Sequence, residues 1–157
     1  MEKHVERYNL AELKTLECGS QNINGTVRPY FTGQYIGIDM EDGDGVDLVA
    51  SANDIPFKDE SFDVVVCTEM LEHDPAFWKS ISEMTRVLRP GGHLLLTTRG
   101  IGFPYHEYPG DYWRFTNEAI EMLLRDAGLT IGNICSDPYP DHPGVLAYAT
   151  KPTSEDA

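Results

Sequence analysis

The sequence has few cysteines and no long apolar segment. Cys18, Cys67 and Cys135 are far apart and form no Cys-x-x-Cys pair, which argues against a disulfide framework and a zinc site. We therefore expect reduced, partly buried thiols and no bound metal. No apolar stretch approaches the roughly 18 residues that a membrane span needs, and the first residues lack the pattern of a signal peptide. These absences predict a cytoplasmic protein without a membrane partner.

Basic residues are also scarce. The sequence has 12 Lys and Arg residues against 26 Asp and Glu residues, which gives a formal net charge of −14. A nucleic-acid partner would have to overcome long-range repulsion, and no cluster of Lys or Arg is present to do so locally. We therefore expect no nucleic-acid partner. The residues give no indication of an oligomeric state.

Apolar residues, in contrast, are present in the amount that one core needs. The chain has 157 residues, of which 41% are hydrophobic. A domain of this length buries roughly 68–70% of the surface that its unfolded chain exposes, so one core is sufficient without disulfides. We predict a single domain over residues 1–151. The polar segment 152–157 is predicted to be a flexible tail.

Short apolar runs along the chain predict strands. The predicted strands are residues 15–18, 35–38, 47–50, 62–67, 93–98, 130–135 and 145–150. The fourth run is continuously apolar, as expected for a strand that is buried on both faces of a parallel sheet. The connections 40–46 and 53–61 are shorter than the dozen residues that a parallel crossover normally needs. One or two crossover helices are therefore expected to be replaced by loops.

Three segments carry helix signals. A short helix is expected within residues 1–14. Asp74 and Pro75 suit the N-cap and first position of a second helix, whose apolar stripe recurs at helical spacing from Phe77 onward. Thr116 is the predicted N-cap of a third helix, which ends at Gly128. Alternation of strands and helices predicts an α/β fold with a doubly wound sheet.

Polar residues and glycine follow the first two predicted strands. Glu17 and Gly19 begin a loop rich in Gly and Asn, and Asp39 ends the second strand. Ligands of open α/β sheets lie outside the carboxyl ends of the strands, and a carboxylate at this position can accept both hydroxyls of a ribose. The alternative for each residue is a turn or cap. A nicotinamide oxidoreductase would need Gly-x-Gly-x-x-Gly here, and the next glycine comes only at Gly25.

Two further segments follow the third and fourth strands. Residues 51–57 are Ser-Ala-Asn-Asp-Ile-Pro-Phe, and residues 68–73 are Thr-Glu-Met-Leu-Glu-His. Asp54 can be a turn residue only. Glu69 and His73 can face a reacting centre. The alternative is that Glu72 and His73, which precede the second helix, simply cap or orient it.

In this order, the segments from Asp39 to Gly92 resemble the cofactor half of a class I S-adenosylmethionine-dependent methyltransferase, of the type 11-like group and its compact bacterial or phage members. The resemblance extends over residues 13–150. It implies a Rossmann-like, seven-stranded, mostly parallel doubly wound sheet with an antiparallel last strand and trimmed crossover helices. The first loop departs from the family's Gly-x-Gly-x-Gly, and Ser51 stands where the family has an acid that contacts adenine.

The resemblance also implies a cofactor, S-adenosyl-L-methionine, and a set of residues that would bind it. The implied cofactor-binding residues are Glu17, Gly19, Ser20, Asp39, Met40, Ala52, Asn53, Thr68 and Glu69. Asp39 would hold the ribose and Met40 would lie against the adenine. The implied activity is methyl transfer to a small molecule or glycan, at oxygen or nitrogen.

The segment 103–115 lies after the fifth predicted strand and is dense in aromatic residues. It resembles a His-x-x-Pro-x-Asp-Tyr-Trp-Arg-Phe-Thr segment in the same methyltransferase group, so it is predicted to be a substrate lid; the alternative is a loop whose aromatics close the core. His106 is the first candidate for a catalytic base because its ordinary pKa is near 6.5. The other predicted catalytic residues are Glu107 and Asp111, and the predicted substrate-binding residues are His73, Tyr108, Tyr112, Trp113 and Arg114.

Two alternatives share the predicted fold. A cofactor-binding protein without catalysis is favoured by the altered first loop and by Ser51, because a fold does not fix a function. A nucleic-acid methyltransferase is disfavoured by the net charge, and the position after the fourth strand lacks the Asp/Asn-Pro-Pro-Tyr of amino-methylating DNA enzymes.

Overall fold

A single mixed sheet organises the chain in a computed structural model that describes residues 1–107, 110–137, 139 and 141–153. In these residues seven strands pair in the order β3-β2-β1-β4-β5-β7-β6. The strands are β1 Thr15–Cys18, β2 Tyr35–Asp39, β3 Leu48–Val49, β4 Phe62–Thr68, β5 Leu88–Arg99, β6 Thr130–Ser136 and β7 Gly144–Thr150. Most of the predicted tail, from 154 on, lies outside the described residues, and the single-domain boundary stays a prediction.

The strand directions confirm the predicted Rossmann-like sheet. Strands β1 to β5 pair in parallel, and β7 runs antiparallel to both β5 and β6. The strand order reverses between β1 and β4, because β2 and β3 lie on one side of β1 and the chain then returns to place β4 on the other side. A crevice outside the carboxyl ends of these two strands is where open α/β sheets bind ligands.

Three α-helices accompany the sheet within the described residues: α1 Glu2–Arg7, α2 Phe77–Val87 and α3 Asn117–Asp126. The predicted cap of α3 is confirmed, since the Thr116 side chain accepts a hydrogen bond from Ala119 N at 3.1 Å. Helix α1 is much shorter than the predicted segment. None of the helices in the described part of the chain is long and apolar enough to cross a membrane.

The boundaries of α2 differ from the prediction at both ends. The helix begins at Phe77 instead of Pro75, because the Asp74 carboxylate accepts hydrogen bonds from Ala76 N and from Ser80 Oγ and so closes a turn of its own. At the other end, α2 runs directly into β5 at Leu88. The Pro-Gly-Gly segment after it lies inside β5 instead of separating helix from strand.

More crossover helices are missing than the sequence predicted. In the described residues no α-helix connects β1 to β2, β2 to β3 or β3 to β4. The first of these connections contains only a 3₁₀ helix at Arg28–Tyr30. It is long enough for a helix, but Gly, Asn and Pro interrupt it and it has no apolar stripe at helical spacing, so it folds as a loop.

The two faces of the sheet are covered in different ways. On one face, Val65 and Cys67 of β4 belong to the main core, which α2 and α3 complete with residues such as Ile81 and Ile120. On the other face, Val64 and Val66 pack in a second cluster. Its remaining buried members are Val5, Leu10, Phe31, Leu95 and Tyr148. In the part of the chain that the structure describes, α1, the loops on either side of β1 and the 3₁₀ helix form that second cover, so loop packing largely replaces helix packing there.

The glycine after β1 provides a test of this close packing. Gly19 has φ +77°, and a Cβ added there would lie 2.7 Å from Met70 Cβ; Gly128 has φ +85° with nothing within 4 Å of an added Cβ. Gly128→Ala is expected to cost about 1–2 kcal/mol for the left-handed backbone alone. Gly19→Ala is expected to cost roughly 1–3 kcal/mol more, because of the clash. Urea unfolding measures the free energy of unfolding of both variants. Equal costs would show that the turn after β1 and the turn after β4 are not in contact.

Candidate functional site

The turn after β1 lies at the switch in strand order. The backbone N–H groups of Gly19 and Ser20 both donate to the carbonyl of Ile38, at 2.9 and 3.1 Å, which ties this turn to the end of β2. Since an added Cβ on Gly19 would meet the side chain of Met70, only glycine lets the turns after β1 and β4 approach this closely. The predicted residues Gly19 and Ser20 are thus brought to the crevice.

Ser20 contributes a buried polar atom without a partner. Its side chain is 3% exposed, and its Oγ has no hydrogen-bond partner among the described residues. Buried hydroxyl groups are normally hydrogen-bonded. A polar ligand group at this strand end would satisfy it, which makes the position fit a cofactor.

Asp39 lies at the end of β2, beside the same turn. One carboxylate oxygen accepts from Gln21 N at 3.2 Å and the other from Glu41 N at 3.3 Å. Both bonds are long for N–H···O bonds, and a carboxylate has about four lone-pair sites. Asp39 therefore keeps capacity to accept further hydroxyl groups. The neighbouring Met40 side chain is 67% exposed and available to a ligand.

Hydrogen bonds between two loops replace a helix next to this crevice. Asn22 donates through its backbone N and its side chain to Asp44, both at 2.8 Å. The Arg28 guanidinium pairs with the Asp47 carboxylate and lies 4.9 Å from the centre of the Tyr35 ring. The loop after β1 and the loop after β2 are therefore joined side by side, at the place where a crossover helix is missing.

Glu17 lies beneath these loops. Its carboxyl group is almost fully buried and accepts a hydrogen bond from the Tyr35 hydroxyl at 2.8 Å. Burial raises the pKa of Glu17, and the Tyr35 hydrogen bond opposes the shift. Burial and the Glu17 charge together raise the pKa of Tyr35 far above its usual range. The predicted cofactor contact of Glu17 stays a prediction.

The segment after β3 is held by polar side chains. Ala52 is buried, and Asn53 donates its side-chain amide to the Asp74 carboxylate at 3.1 and 3.2 Å. Ser51, which occupies the position of the family's acid, accepts from Asn53 N at 3.1 Å and so closes the turn. Sequence reasoning did not identify the role of Asp74, which joins this turn to the start of α2.

The end of β4 carries an ion pair. Thr68 ends the strand half-buried, and Glu69 adopts φ +52°, an uncommon value for a residue other than glycine. The Glu69 carboxylate lies 2.5 Å from Arg99 Nε at the end of β5. Burial, followed by the nearby Glu72 charge, raises the pKa of Glu69.

Glu72 lies at the centre of a group of polar side chains, and sequence reasoning did not assign it to the site. Its side chain is fully buried, and one oxygen, Oε2, accepts from Thr98 Oγ1 at 2.8 Å. The other oxygen, Oε1, lies 3.9 Å from His73 Nε2, from His106 Nε2 and from Arg99 Nε. We call Glu72, His73 and His106 the Glu-His-His cluster.

The predicted lid is attached to the backbone of the same residue. The N–H groups of Tyr112 and Trp113 donate to the Glu72 carbonyl at 2.8 and 3.2 Å. The Trp113 indole donates to the Asp74 carbonyl at 2.9 Å. The lid residues that were predicted to bind substrate are thus placed directly over the end of β4. Tyr108 lies outside the described residues.

Arg114 clamps the two ends of the lid together. Its guanidinium makes five hydrogen bonds: to the Asp111 carboxylate through both terminal nitrogens, and to the carbonyls of Phe103, Pro104 and Trp113. All of its donors are used inside the protein. The pairing holds the pKa of Asp111 well below its usual range. The predicted contact of Arg114 with substrate stays a prediction.

His106 is positioned by the same carboxylate. Its backbone N donates to Asp111 Oδ2 at 2.7 Å, and its Nδ1 lies 3.2 Å from the same oxygen. Burial lowers the pKa of His106, and the Asp111 charge opposes the shift. Glu107 is exposed beside it. The catalytic assignments of His106, Glu107 and Asp111 stay predictions.

The aromatic side chains of the lid serve two purposes. Phe115 is buried and meets Phe77 of α2 in an edge-to-face contact with ring centres 5.1 Å apart. Tyr105 and Tyr112 are 69% and 56% exposed. The last aromatic of this segment therefore closes the core, and its tip presents open aromatic surface. The substrate lid stays a prediction.

The mixed sheet with this strand order and the acid at the end of β2 agree with the predicted class I S-adenosylmethionine-dependent methyltransferase. The model of one family, described as a methyltransferase domain, matches residues 16–96, slightly more than half of the chain. The chain therefore belongs to this methyltransferase family. The predicted family and its cofactor, S-adenosylmethionine, are confirmed.

Curated relatives match over short segments. Phthiotriol/phenolphthiotriol dimycocerosates methyltransferase 1 of Mycobacterium ulcerans is 50% identical over 54 residues, which are 34% of this chain and 20% of that protein. The 27-O-demethylrifamycin SV methyltransferase of Amycolatopsis mediterranei is 51% identical over 47 residues, 30% of this chain and 17% of that protein. The matches thus span about a fifth of these relatives' length.

A solved structure resembles nearly the whole chain. It is the Burkholderia thailandensis 1,6-didemethyltoxoflavin-N1-methyltransferase with bound 1,6-didemethyltoxoflavin and S-adenosylhomocysteine. The TM-score is 0.80 at 17% identity, and the match covers 96% of this chain and 76% of that one. At this identity the likeness shows the fold, and it confirms the predicted fold class.

The buried carboxyl group of Glu17 yields a prediction about pH. Burial raises the pKa of Glu17 above the usual 4.5. The contribution of this group to the free energy of unfolding is therefore fully present below about pH 4.5 and is lost as the pH rises through the folded-state pKa. Glu17→Gln does not titrate. Its Tm relative to the wild type is therefore expected to increase between about pH 5 and pH 8, by roughly 2–4 °C for each kcal/mol. Calorimetric melting at each pH measures this; a difference that is constant with pH would mean that Glu17 is ionised without penalty.

Proposed function

We propose that this protein transfers a methyl group from S-adenosylmethionine to the oxygen or nitrogen of a small-molecule acceptor. The observation that carries the proposal is the arrangement at the switch in strand order. Asp39 and the turn after β1 lie on one side of it, and the Glu-His-His cluster lies under the lid after β4. A cofactor side and an acceptor side therefore meet at one sheet edge.

The residues of the cofactor side fit the expected ligand. Asp39 would accept the ribose hydroxyls, and the unpartnered Ser20 Oγ would contact a polar group of the cofactor. The buried Ala52 and the exposed Met40 would flank the adenine. When bound, S-adenosylmethionine supplies a methyl group that its sulfonium already activates, so the protein's task is alignment and exclusion of water.

The residues of the acceptor side suit a hydroxyl or amine. His73 Nδ1 contacts the Gly110 carbonyl, which leaves a lone pair on Nε2, and His106 Nδ1 lies 3.2 Å from the Asp111 carboxylate. A lone pair at this place can take a proton from an acceptor as the methyl group arrives. His106 remains our first candidate for that role, because Asp111 supports its orientation.

The surroundings favour a small acceptor with apolar or aromatic character. The exposed aromatic side chains of the lid are those of Tyr105, Tyr112 and Trp113. Pockets for small molecules are mostly lined by apolar and aromatic side chains. The net charge of −14 disfavours nucleic acid. The relatives' names, which include a dimycocerosate methyltransferase and a rifamycin methyltransferase, support the same class of acceptor. A glycan remains within the proposal.

Binding of the cofactor product tests the cofactor side. Asp39→Ala is expected to weaken S-adenosylhomocysteine binding roughly 10- to 100-fold, because hydrogen bonds to a charged group contribute about 1.5–3 kcal/mol. Asp42→Ala removes the same charge from an exposed position in the same loop and is expected to bind like the wild type. Calorimetric titration measures both, with NADH as a negative control.

The titration has clear contrary outcomes. No binding of S-adenosylmethionine or S-adenosylhomocysteine at millimolar concentration would reject the proposed function. Equal affinity of the Asp39→Ala variant and the wild type would mean that the ribose lies elsewhere. Tight binding without turnover of any acceptor would favour the alternative of a cofactor-binding protein without catalysis.

Removal of an imidazole tests the acceptor side. With an acceptor identified by release of S-adenosylhomocysteine, His106→Ala is expected to lower kcat by roughly 10²- to 10⁴-fold and to leave S-adenosylhomocysteine affinity unchanged. His142→Ala is the matched control, since His142 is exposed and outside the cluster. An unchanged kcat in His106→Ala would place the chemistry away from the lid.

A further inference from the structure

We propose that Glu72, His73 and His106 form a binding site for one divalent transition-metal ion, of which zinc is the test ion. The sequence predicts no metal, because it has no Cys-x-x-Cys pair and the two histidines are far apart along the chain. The fold brings one ligand atom of each residue within 4.8 Å of the other two. Two imidazoles and one carboxylate are a ligand set that suits zinc, iron and manganese.

The distances lie close to those of a bound ion. Glu72 Oε1 lies 3.9 Å from Nε2 of His73 and 3.9 Å from Nε2 of His106. Ligand atoms at zinc bond lengths of about 2.0–2.2 Å in a tetrahedral arrangement are roughly 3.4 Å apart. Closure by about 0.5 Å would bring both Glu72–histidine distances to this value, and the ligand atoms of the two histidines lie within 4.8 Å of each other. A distance of 3.9 Å is too long for a hydrogen bond between these atoms.

Both histidines present Nε2 to Glu72, and an acceptor oxygen lies near Nδ1 of each. A carbonyl oxygen can only accept, so the contact of His73 Nδ1 with the Gly110 carbonyl places the hydrogen on Nδ1 and leaves a lone pair on Nε2. His106 Nδ1 lies 3.2 Å from the Asp111 carboxylate, which pairs with Arg114. Histidines that bind metals commonly have such a carbonyl or carboxylate behind them, and it fixes the ring.

Glu72 Oε1 is a buried acceptor without a donor. The Glu72 side chain is fully buried, and this oxygen has no hydrogen-bond partner among the described residues. The other oxygen is fixed by Thr98. Glu72 Oε1 thus faces Nε2 of both histidines at 3.9 Å without a hydrogen bond, and a buried acceptor in this state is costly unless a ligand satisfies it. The unpartnered oxygen is the observation that points to a ligand.

The charges around the cluster permit a cation. Arg99 Nε is 3.9 Å from Glu72 Oε1, but this nitrogen pairs with the Glu69 carboxylate at 2.5 Å. Asp111 and Arg114 form the other pair. Glu69 and Asp111 each have a guanidinium nitrogen within 2.5 Å, whereas Glu72 has no basic group of this set nearer than 3.9 Å. A divalent ion would therefore compensate the carboxylate of Glu72.

The position of the site relates the ion to the acceptor, and this step rests on the proposed function. Three protein ligands leave an open coordination position, as in catalytic zinc sites. The His106 side chain is 35% exposed, which gives access from the lid side. An acceptor hydroxyl bound at that position would lose its proton more readily. His106 would then act as a ligand, and the ion would take over the role predicted for the imidazole.

Metal titration of the whole chain tests the site. Protein freed of metal with a chelator is titrated calorimetrically with ZnCl₂ in excess Mg²⁺, which occupies surface carboxylates. Binding of one Zn²⁺ per chain is expected. His106→Ala and His73→Ala are each expected to weaken it at least about tenfold, and Asp111→Asn, a positioning variant, by about 10- to 100-fold. His142→Ala, the surface histidine control, should match the wild type.

Spectroscopy checks that the ion is in the cluster. Co²⁺ in place of zinc is expected to give visible absorption bands that disappear in His106→Ala and persist in His142→Ala. Glu72→Gln should abolish both signals; because it alters a buried group, circular dichroism must first show that it is folded. Zinc binding that is absent, or equal in His106→Ala and the wild type, would overturn the site and leave a water molecule or a proton as the occupant.

The two proposals fail separately. S-adenosylhomocysteine is titrated into the metal-free protein in the same series. Binding of S-adenosylhomocysteine without zinc binding rejects the metal site and leaves the proposed function intact. Zinc binding that is lost in the cluster variants, without S-adenosylhomocysteine binding, supports the metal site and rejects the proposed function.

Discussion

The backbone carbonyl of Glu72 is the contact on which the position of the predicted lid depends. It accepts the N–H groups of two consecutive lid residues, Tyr112 and Trp113, while the side chain of the same residue is fully buried and bonded to Thr98 of β5. The lid and the cluster beneath it are therefore fixed by one residue at the end of β4. A change at Glu72 would disturb the lid and the cluster together.

A second constraint is the loss of crossover helices on one side of the sheet. The described residues cover that face with α1, loops and the 3₁₀ helix. Hydrogen bonds between the loops after β1 and β2, such as those from Asn22 to Asp44, take the place of helix packing. Gly19 matters because the turn after β1 must also pass close to Met70. The cofactor side is thus built from loops whose geometry depends on polar contacts more than on a large apolar core.

The arrangement of Arg114 and Asp111 shows why residue type alone does not reveal a role. An arginine in a predicted lid suggests recognition of an anionic substrate, but its five hydrogen bonds all go to protein groups. The pair closes the lid on itself and orients His106. Asp111 and Arg114, which looked catalytic or substrate-binding in the sequence, therefore hold the lid together, and Asp111 also holds the backbone of His106.

Apolar periodicity in the sequence by itself determined the α/β class, the approximate positions of the strands and the cap at Thr116, and the resemblance of the motifs at the strand ends indicated the family and its cofactor. The sequence did not determine the start of α2, the number of missing helices or the centrality of Glu72. Those depend on partners far along the chain: Asn53 with Asp74, the loops of 19–47 with each other, and Glu72 with Thr98 and His106. Only the tertiary structure brings residues 72, 73 and 106 together, since the sheet aligns the ends of β4 and β5 and the lid then folds back over them.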